Sequence, residues 1–195
     1  TAIFGPVPWA GELWQERIDN DGDLYNWGVF TDVDVTITDS FNVIAGLRYS
    51  KDQKDYSWYT PVNSFAALKP GTNNIIFGVS PGEVVGQEVK ATEEWDKVTG
   101  RLVGTYQFAA EAMTFLSYST GYKSGGFDSL SQVSAVSPFD AEDVTNYEWG
   151  IKGTLLDNHL RTQLSVFRME VDNRQRSVDQ LNPGDIAARP GIING

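Results

Sequence analysis

The sequence has no cysteine, so disulfide frameworks, thiolate metal sites and cysteine nucleophiles are excluded. Histidine occurs once, at His159, beside a predicted turn and with no second base or nucleophile spaced to form a triad with it; a turn role is expected. Nowhere do apolar residues run for the roughly 18 positions that a membrane-spanning helix needs. Residues 1–11 also lack the basic start and apolar run of a secretory leader. Basic side chains are outnumbered, 15 Lys and Arg against 26 Asp and Glu. The resulting net charge of -11 argues against a nucleic-acid partner, because phosphate binding depends on clustered Lys and Arg. Acidic clusters at residues 16–23 and 140–143 fall between apolar segments, where solvated loops would carry them.

What is present points to β-structure. The 41% hydrophobic and 12% aromatic content of this 195-residue chain excludes disorder, and one domain is the default for its length. A mean hydropathy of -0.31 is too polar for a helical membrane protein. It does not exclude a membrane barrel, in which only alternate residues meet lipid.

Alternation with period two dominates, and helical periodicity is confined to residues 64–68. Over residues 25–37, Tyr25, Trp27, Val29, Thr31, Val33, Val35 and Ile37 share one face, and only Phe30 interrupts the polar face behind them. After the turn formers Thr38, Asp39 and Ser40, residues 41–50 alternate again. A second pair is predicted at about 94–107 and 112–122, and a third at 147–155 and 159–173, turning at Leu156, Asp157 and Asn158. These six strands, about 11 to 15 residues long, exceed the usual soluble length of about 5 to 6 and suit a tilted bilayer crossing. Links within pairs are short. Those between pairs, roughly 56–93, 123–145 and 175 onward, are long, which is the tight-turn and long-loop asymmetry of outer-membrane barrels. Tyr25, Trp27, Tyr49, Tyr122, Tyr147 and Trp149 lie towards the long-loop ends on the lipid face, where an aromatic girdle belongs; ordinary strand aromatics are the plainer alternative.

Three stretches then resemble one family. Residues 45–55, AGLRYSKDQKD, look like a strand and loop start that recurs in TonB-dependent receptors, and residues 118–127, YSTGYKSGGF, look like a more specific barrel signature of that family. Residues 138–173, PFDAEDVTNYEWGIKGTLLDNHLRTQLSVFRMEVDN, are similar to its run of Pro-Phe, acidic residues, Asn-Tyr-Glu, a Gly-Lys pair and a Leu-Leu-Asp turn. The resemblance covers about residue 19 to the end. It implies an all-β, antiparallel up-and-down transmembrane barrel of about 22 strands, of which this chain supplies about six as an open curved sheet. Residues 1–195 are then expected to be a partial barrel domain from the middle of the wall, without plug, TonB box or terminal strands. The implied function is import of a scarce nutrient, above all an iron-siderophore complex, across the bacterial outer membrane. The implied partners are outer-membrane lipid, the TonB complex through the parent's N-terminal region, and a small ligand such as a ferric siderophore. Two rivals are a soluble β-sandwich binding module and a β-rich hydrolase.

Candidate site residues follow. Arg48, Arg101, Glu148, Lys152 and Arg161 are expected to face the lumen, as ion pairs of the wall or as guides for an anionic ligand. Tyr56, Trp58 and Tyr59 open the longest loop, and Lys123 and Phe127 flank a double glycine; as aromatic and cationic loop residues they could grip a ligand or pack the loops. Asp19, Asp21 and Asp23 alternate in DNDGD, but the glycine position and missing downstream Glu do not fit a calcium loop, so a polar loop is expected. No carboxylate pair is legible as catalytic, and no enzyme activity, metal or cofactor is expected.

Overall fold

The computed structural model describes residues 2–4, 14–16, 19–59, 86–129, 138–157, 159–180 and 189–195. Two short ribbons flank one large sheet. Strands β1 (Ala2–Phe4) and β2 (Trp14–Glu16) pair with each other. The sheet consists of β3 (Asp19–Thr38), β4 (Phe41–Tyr59), β5 (Glu88–Ala109), β6 (Ala112–Lys123), β7 (Glu142–Leu155) and β8 (Leu160–Asp172). Each strand is hydrogen-bonded antiparallel to its neighbours in sequence, in the order β3-β4-β5-β6-β7-β8. The third predicted long connection, from residue 175, instead contains a ribbon of β9 (Gln175–Gln180) and β10 (Arg189–Asn194). The expected helical stretch at 64–68 lies outside the described residues.

Local chemistry sets the tight turns. Thr38 Oγ1 accepts from the amides of Ser40 (3.3 Å) and Phe41 (3.0 Å), so a side chain closes the β3–β4 turn. Leu156 and Asp157 both have left-handed φ, 55° and 49°, and open the four-residue link, 156–159, that follows the Leu155↔Leu160 pair. His159 finishes that turn, its amide donating to Leu156 O at 3.0 Å and its ring Nδ1 lying 2.7 Å from the same oxygen.

Three strands are longer than the alternation predicts: β3, β4 and β5 have 20, 19 and 22 residues. At about 3.3 Å per residue each is roughly 60–70 Å long, about twice what crossing a 30 Å hydrocarbon layer needs. The apolar signal stops at Tyr49, but pairing continues through Lys51, Asp52, Lys54 and Asp55 to Asp19↔Tyr59 and Tyr59↔Glu88. A water-exposed ladder needs no apolar face, so hydropathy could not mark its end. DNDGD, expected as a polar loop, therefore forms the start of β3.

The register assigns every side chain to one of two faces. On the first, the row Val35, Val43, Gly104, Leu116, Trp149, Val166 crosses all six strands, with Val33, Ala45, Leu102, Tyr118 and Tyr147 in the row beside it. This face is apolar and uncovered: Leu116 is 64% exposed and Leu164 66%. It ends at aromatic pairs, Trp27 with Tyr49 at 5.4 Å and Tyr118 with Tyr147 at 5.2 Å, beyond which lie charged groups such as the Lys51–Glu94 ion pair at 2.8 Å. Tyr25 and Trp149 share this face. Tyr122 departs from the predicted girdle, because its hydroxyl donates to the Asp52 carboxylate on the opposite face.

That opposite face is polar. Asn42 donates to Asp34 at 2.6 Å, and Arg101 pairs with Asp32 at 3.0 Å. Among the described residues, the buried large hydrophobics are Trp58 and Phe115, and no second sheet packs over the apolar face as a sandwich requires.

Candidate functional site

Pairing between β5 and β6 stops halfway along the sheet, at Arg101↔Ser119. One step further, the Gly100 amide donates to Thr120 Oγ1 at 2.9 Å, so a side chain stands where the ladder would continue. Strand β6 stays paired with β7 up to Lys123↔Glu142 and leans over the polar face. Two contacts hold the lean: Tyr122 to Asp52 of β4, and the Lys97–Asp143 ion pair at 2.6 Å, which joins β5 to β7 across the outer end of β6.

The next six residues, 124–129, cross the polar face as a strap. Their double glycine is required by close approach. A Cβ on Gly125 would lie 2.1 Å from Phe139 O and 2.4 Å from Trp95 Nε1, and one on Gly126 would meet the Phe139 ring at 2.8 Å. Gly126 and Phe139 exchange backbone hydrogen bonds of 3.2 and 2.9 Å, closing the base of the connection. Lys54 Nζ donates to Gly125 O, Trp58 Nε1 to Asp128 O at 3.2 Å, and Asn20 Nδ2 to Ser129 O at 2.9 Å.

The strap carries Phe127 into an aromatic box. Tyr56 stacks on it at 5.9 Å with planes 18° apart, Trp58 meets it edge-on at 5.9 Å, and Trp95 at 6.3 Å and 68°. Trp58 is 2% exposed. Tyr56, Trp58 and Trp95 share the polar face because Trp58 and Tyr56 alternate along β4 and Trp95 pairs with Asp52 in the same set. Lys54 Nζ lies 5.5 Å from the Trp95 ring centre, near enough for a cation–π contact. Burial lowers the pKa of Lys54, with the Lys123 charge adding to the effect and Asp52 opposing it. Burial raises that of Tyr56. Both groups lie in the outer extension of β4, past the bilayer-length part of the strand.

Of the residues singled out from the sequence, Tyr56, Trp58 and Phe127 come together. Tyr59 does not: one position from Trp58, it is on the other face opposite Glu88. Lys123 is exposed at the end of β6 and reaches the box only through its field on Lys54. Trp95, Lys54 and the two glycines were missed. The β4–β5 register would have exposed Trp95, but residues 60–87 separate the two strands in sequence and hide it.

Arg48, Arg101, Glu148, Lys152 and Arg161 share the polar face. One of them, Arg101, forms an ion pair of the wall, with Asp32. Glu148 and Lys152 sit four residues apart on one strand, about 13 Å, beyond ion-pair reach. Lys152 instead lies over the Phe115 ring at 5.0 Å, and Arg48 donates to Ser50 Oγ at 2.8 Å. Two adjoining depressions of about 460 and 330 Å³ run down the polar face from beneath the strap, with Arg48 common to both and Arg101 in the lower one.

Comparison with known proteins fits this architecture. The family model described as TonB dependent receptor-like, beta-barrel matches residues 3–194. The Acinetobacter baumannii protein named "Probable TonB-dependent siderophore receptor PiuA" is 26% identical over 182 residues, covering 92% of this chain and 22% of that protein. The ferric yersiniabactin uptake receptor FyuA of Yersinia pestis superposes with a TM-score of 0.67 at 18% identity, over 87% of this chain and 23% of that one. The ferric-catecholate import receptor Fiu of E. coli K12 superposes with a TM-score of 0.58 at 15% identity, over 90% of this chain and 24% of that one. The chain thus spans under a quarter of the length of these relatives. With an uncovered apolar face, a polar reverse side and up-and-down strands, this chain belongs to the TonB-dependent receptor β-barrel family, and its six-stranded sheet is a segment of such a barrel.

Proposed function

We propose that residues 1–195 are part of the wall of an outer-membrane receptor that imports a scarce nutrient, a ferric siderophore foremost, with energy passed on through TonB. The observation that carries this is the apolar face bounded by aromatic pairs, backed by a polar face. Hydrocarbon covers the first and an aqueous lumen the second, as bilayer physics requires of a barrel wall. The outer extensions of β3, β4 and β5 then stand above the membrane with the aromatic box at the mouth. In this reading Tyr56, Trp58, Trp95 and Lys54 form the ligand-receiving end, with Phe127 seated among them. Arg48 and Arg101 line the way inward and favour an anionic ligand. The protein acts as a transporter and not as an enzyme, in the outer membrane of a Gram-negative cell.

The names of PiuA, FyuA and Fiu support iron chelates as the cargo class. The test is uptake of radioactive iron by iron-starved cells that express the full-length receptor from a plasmid in a receptor-null strain. Energy-dependent uptake of at least one ferric siderophore, lost on deletion of TonB, is expected. Iron uptake equal to that of the empty-vector strain across hydroxamate, catecholate and carboxylate chelates would refute the proposal.

A further inference from the structure

Phe127 occupies its box as a guest. The three rings around it belong to β4 and β5 and are fixed by strand register, whereas Phe127 belongs to a segment outside any strand. With its ring the strap delivers two oxygens, Gly125 O to the Lys54 ammonium and Asp128 O to the Trp58 indole. Both donors come from the wall. If the strap lifted, Trp58 Nε1 and the half-buried Lys54 ammonium would lose these acceptors and be left to water or to the oxygens of an incoming ligand. The vacated space therefore calls for a planar ring accompanied by oxygen acceptors, one of them well matched to a cation.

We infer that residues 124–129 are a built-in competitor, in which Phe127 and the Gly125 and Asp128 carbonyls hold a cleft that an oxygen-bearing aryl group of the ligand takes over by displacing the strap. The inference rests on the receptor reading, since it assumes that this face meets the ligand. It assigns Trp95 and Lys54 as recognition residues alongside Tyr56 and Trp58. It also gives the strap an inhibitory role: apparent affinity falls by the fraction of time the cleft is self-occupied.

Salicylate, an aryl ring with phenolic and carboxylate oxygens, is the probe, and acetohydroxamate, which has no ring, is the control. Binding of each is measured by equilibrium dialysis on the full-length receptor in detergent micelles. A strap closed about nine-tenths of the time predicts that Phe127→Ala tightens salicylate binding about tenfold. A second form tests the same idea without touching the box. Asn20→Cys with Ser129→Cys, among 195 residues that hold no other cysteine and with any cysteine elsewhere in the full-length receptor first replaced by serine, is joined by a short cleavable bis-maleimide to lock the strap shut. The locked form is expected to lose salicylate binding and regain it on cleavage, with acetohydroxamate indifferent throughout. Unchanged or weaker salicylate binding in Phe127→Ala, or full binding by the locked form, overturns the inference. Absence of salicylate binding in every form overturns it too. Iron uptake measured in parallel separates the two readings. If uptake persists while the salicylate results fail, the strap inference alone is lost; if uptake fails while salicylate behaves as expected, the transport reading alone is lost.

Discussion

Leu116 is the position at which the membrane reading is most exposed to refutation. It lies four residues in from the tight-turn end of β6, about 13 Å along the strand and roughly 10 Å in depth at a 40° tilt, close to the middle of a 25–30 Å apolar layer. Its cross-strand neighbours are Gly104 and Trp149, so an arginine placed there finds no anionic partner beside it. Charged side chains on the lipid face near the midplane cost about 2–4 kcal/mol, a factor of roughly 30 to 1,000 in the folding equilibrium. Ser117, the next residue, pairs with Val103 and Glu148 on the polar face, where an arginine meets water and a carboxylate. Leu116→Arg should therefore lose about 2–4 kcal/mol and Ser117→Arg less than about 1 kcal/mol. The assay is reversible urea unfolding of the full-length receptor in phospholipid vesicles, followed by tryptophan fluorescence. Equal costs at the two positions, or a larger one at Ser117, would show that the apolar face is not the lipid face.

Gly125→Val should unseat the strap, because its Cβ would lie 2.1 Å from Phe139 O; hydrogen exchange at the Gly126 and Phe139 amides should speed up, while Gly121→Ala, with nothing within 4 Å, leaves it unchanged. Trp58→Ala removes the most buried side chain described and should destabilise the outer end by about 3–5 kcal/mol, seen as faster exchange at residues 124–129. Lys54 has a folded pKa below its unfolded 10.5, so its charge opposes folding at lower pH, and that penalty fades as pH rises through the depressed value towards 10.5. Wild type should accordingly gain urea resistance relative to Lys54→Met over that alkaline window, and parallel pH curves for the two would contradict the burial argument. Asp32→Ala breaks an ion pair whose partners are both about half exposed, so it should cost no more than about 1 kcal/mol in the same unfolding assay.

Alternation made the membrane part of the sheet legible, because lipid on one side and water on the other impose opposite demands on successive residues. Val29 to Ile37 and Tyr147 to Leu155 show this most plainly, and their faces agree with the register found. The outer strand ends were illegible for the converse reason: at Lys51 to Asp55 charged and polar residues occupy both faces, and composition carries no strand signal. Phe127, Tyr56 and Trp58 could be singled out as aromatics near loops, but not as neighbours, since 69 positions separate Trp58 from Phe127 and only the fold joins them. Tyr122 misled because parity assumes a straight strand, and β6 bends towards Asp52 once its pairing with β5 has ended.

The early end of the β5–β6 ladder divides the outer half of the sheet into two blades, β3-β4-β5 and β6-β7-β8, hinged on a common base. At the mouth the blades are joined by side-chain contacts, Tyr122 to Asp52 and Lys97 to Asp143 among them, while backbone hydrogen bonds from Arg101 and Ser119 down to the Ala109 and Ala112 end join the base. A wall built this way is tied by side chains at its rim and by backbone along its apolar part.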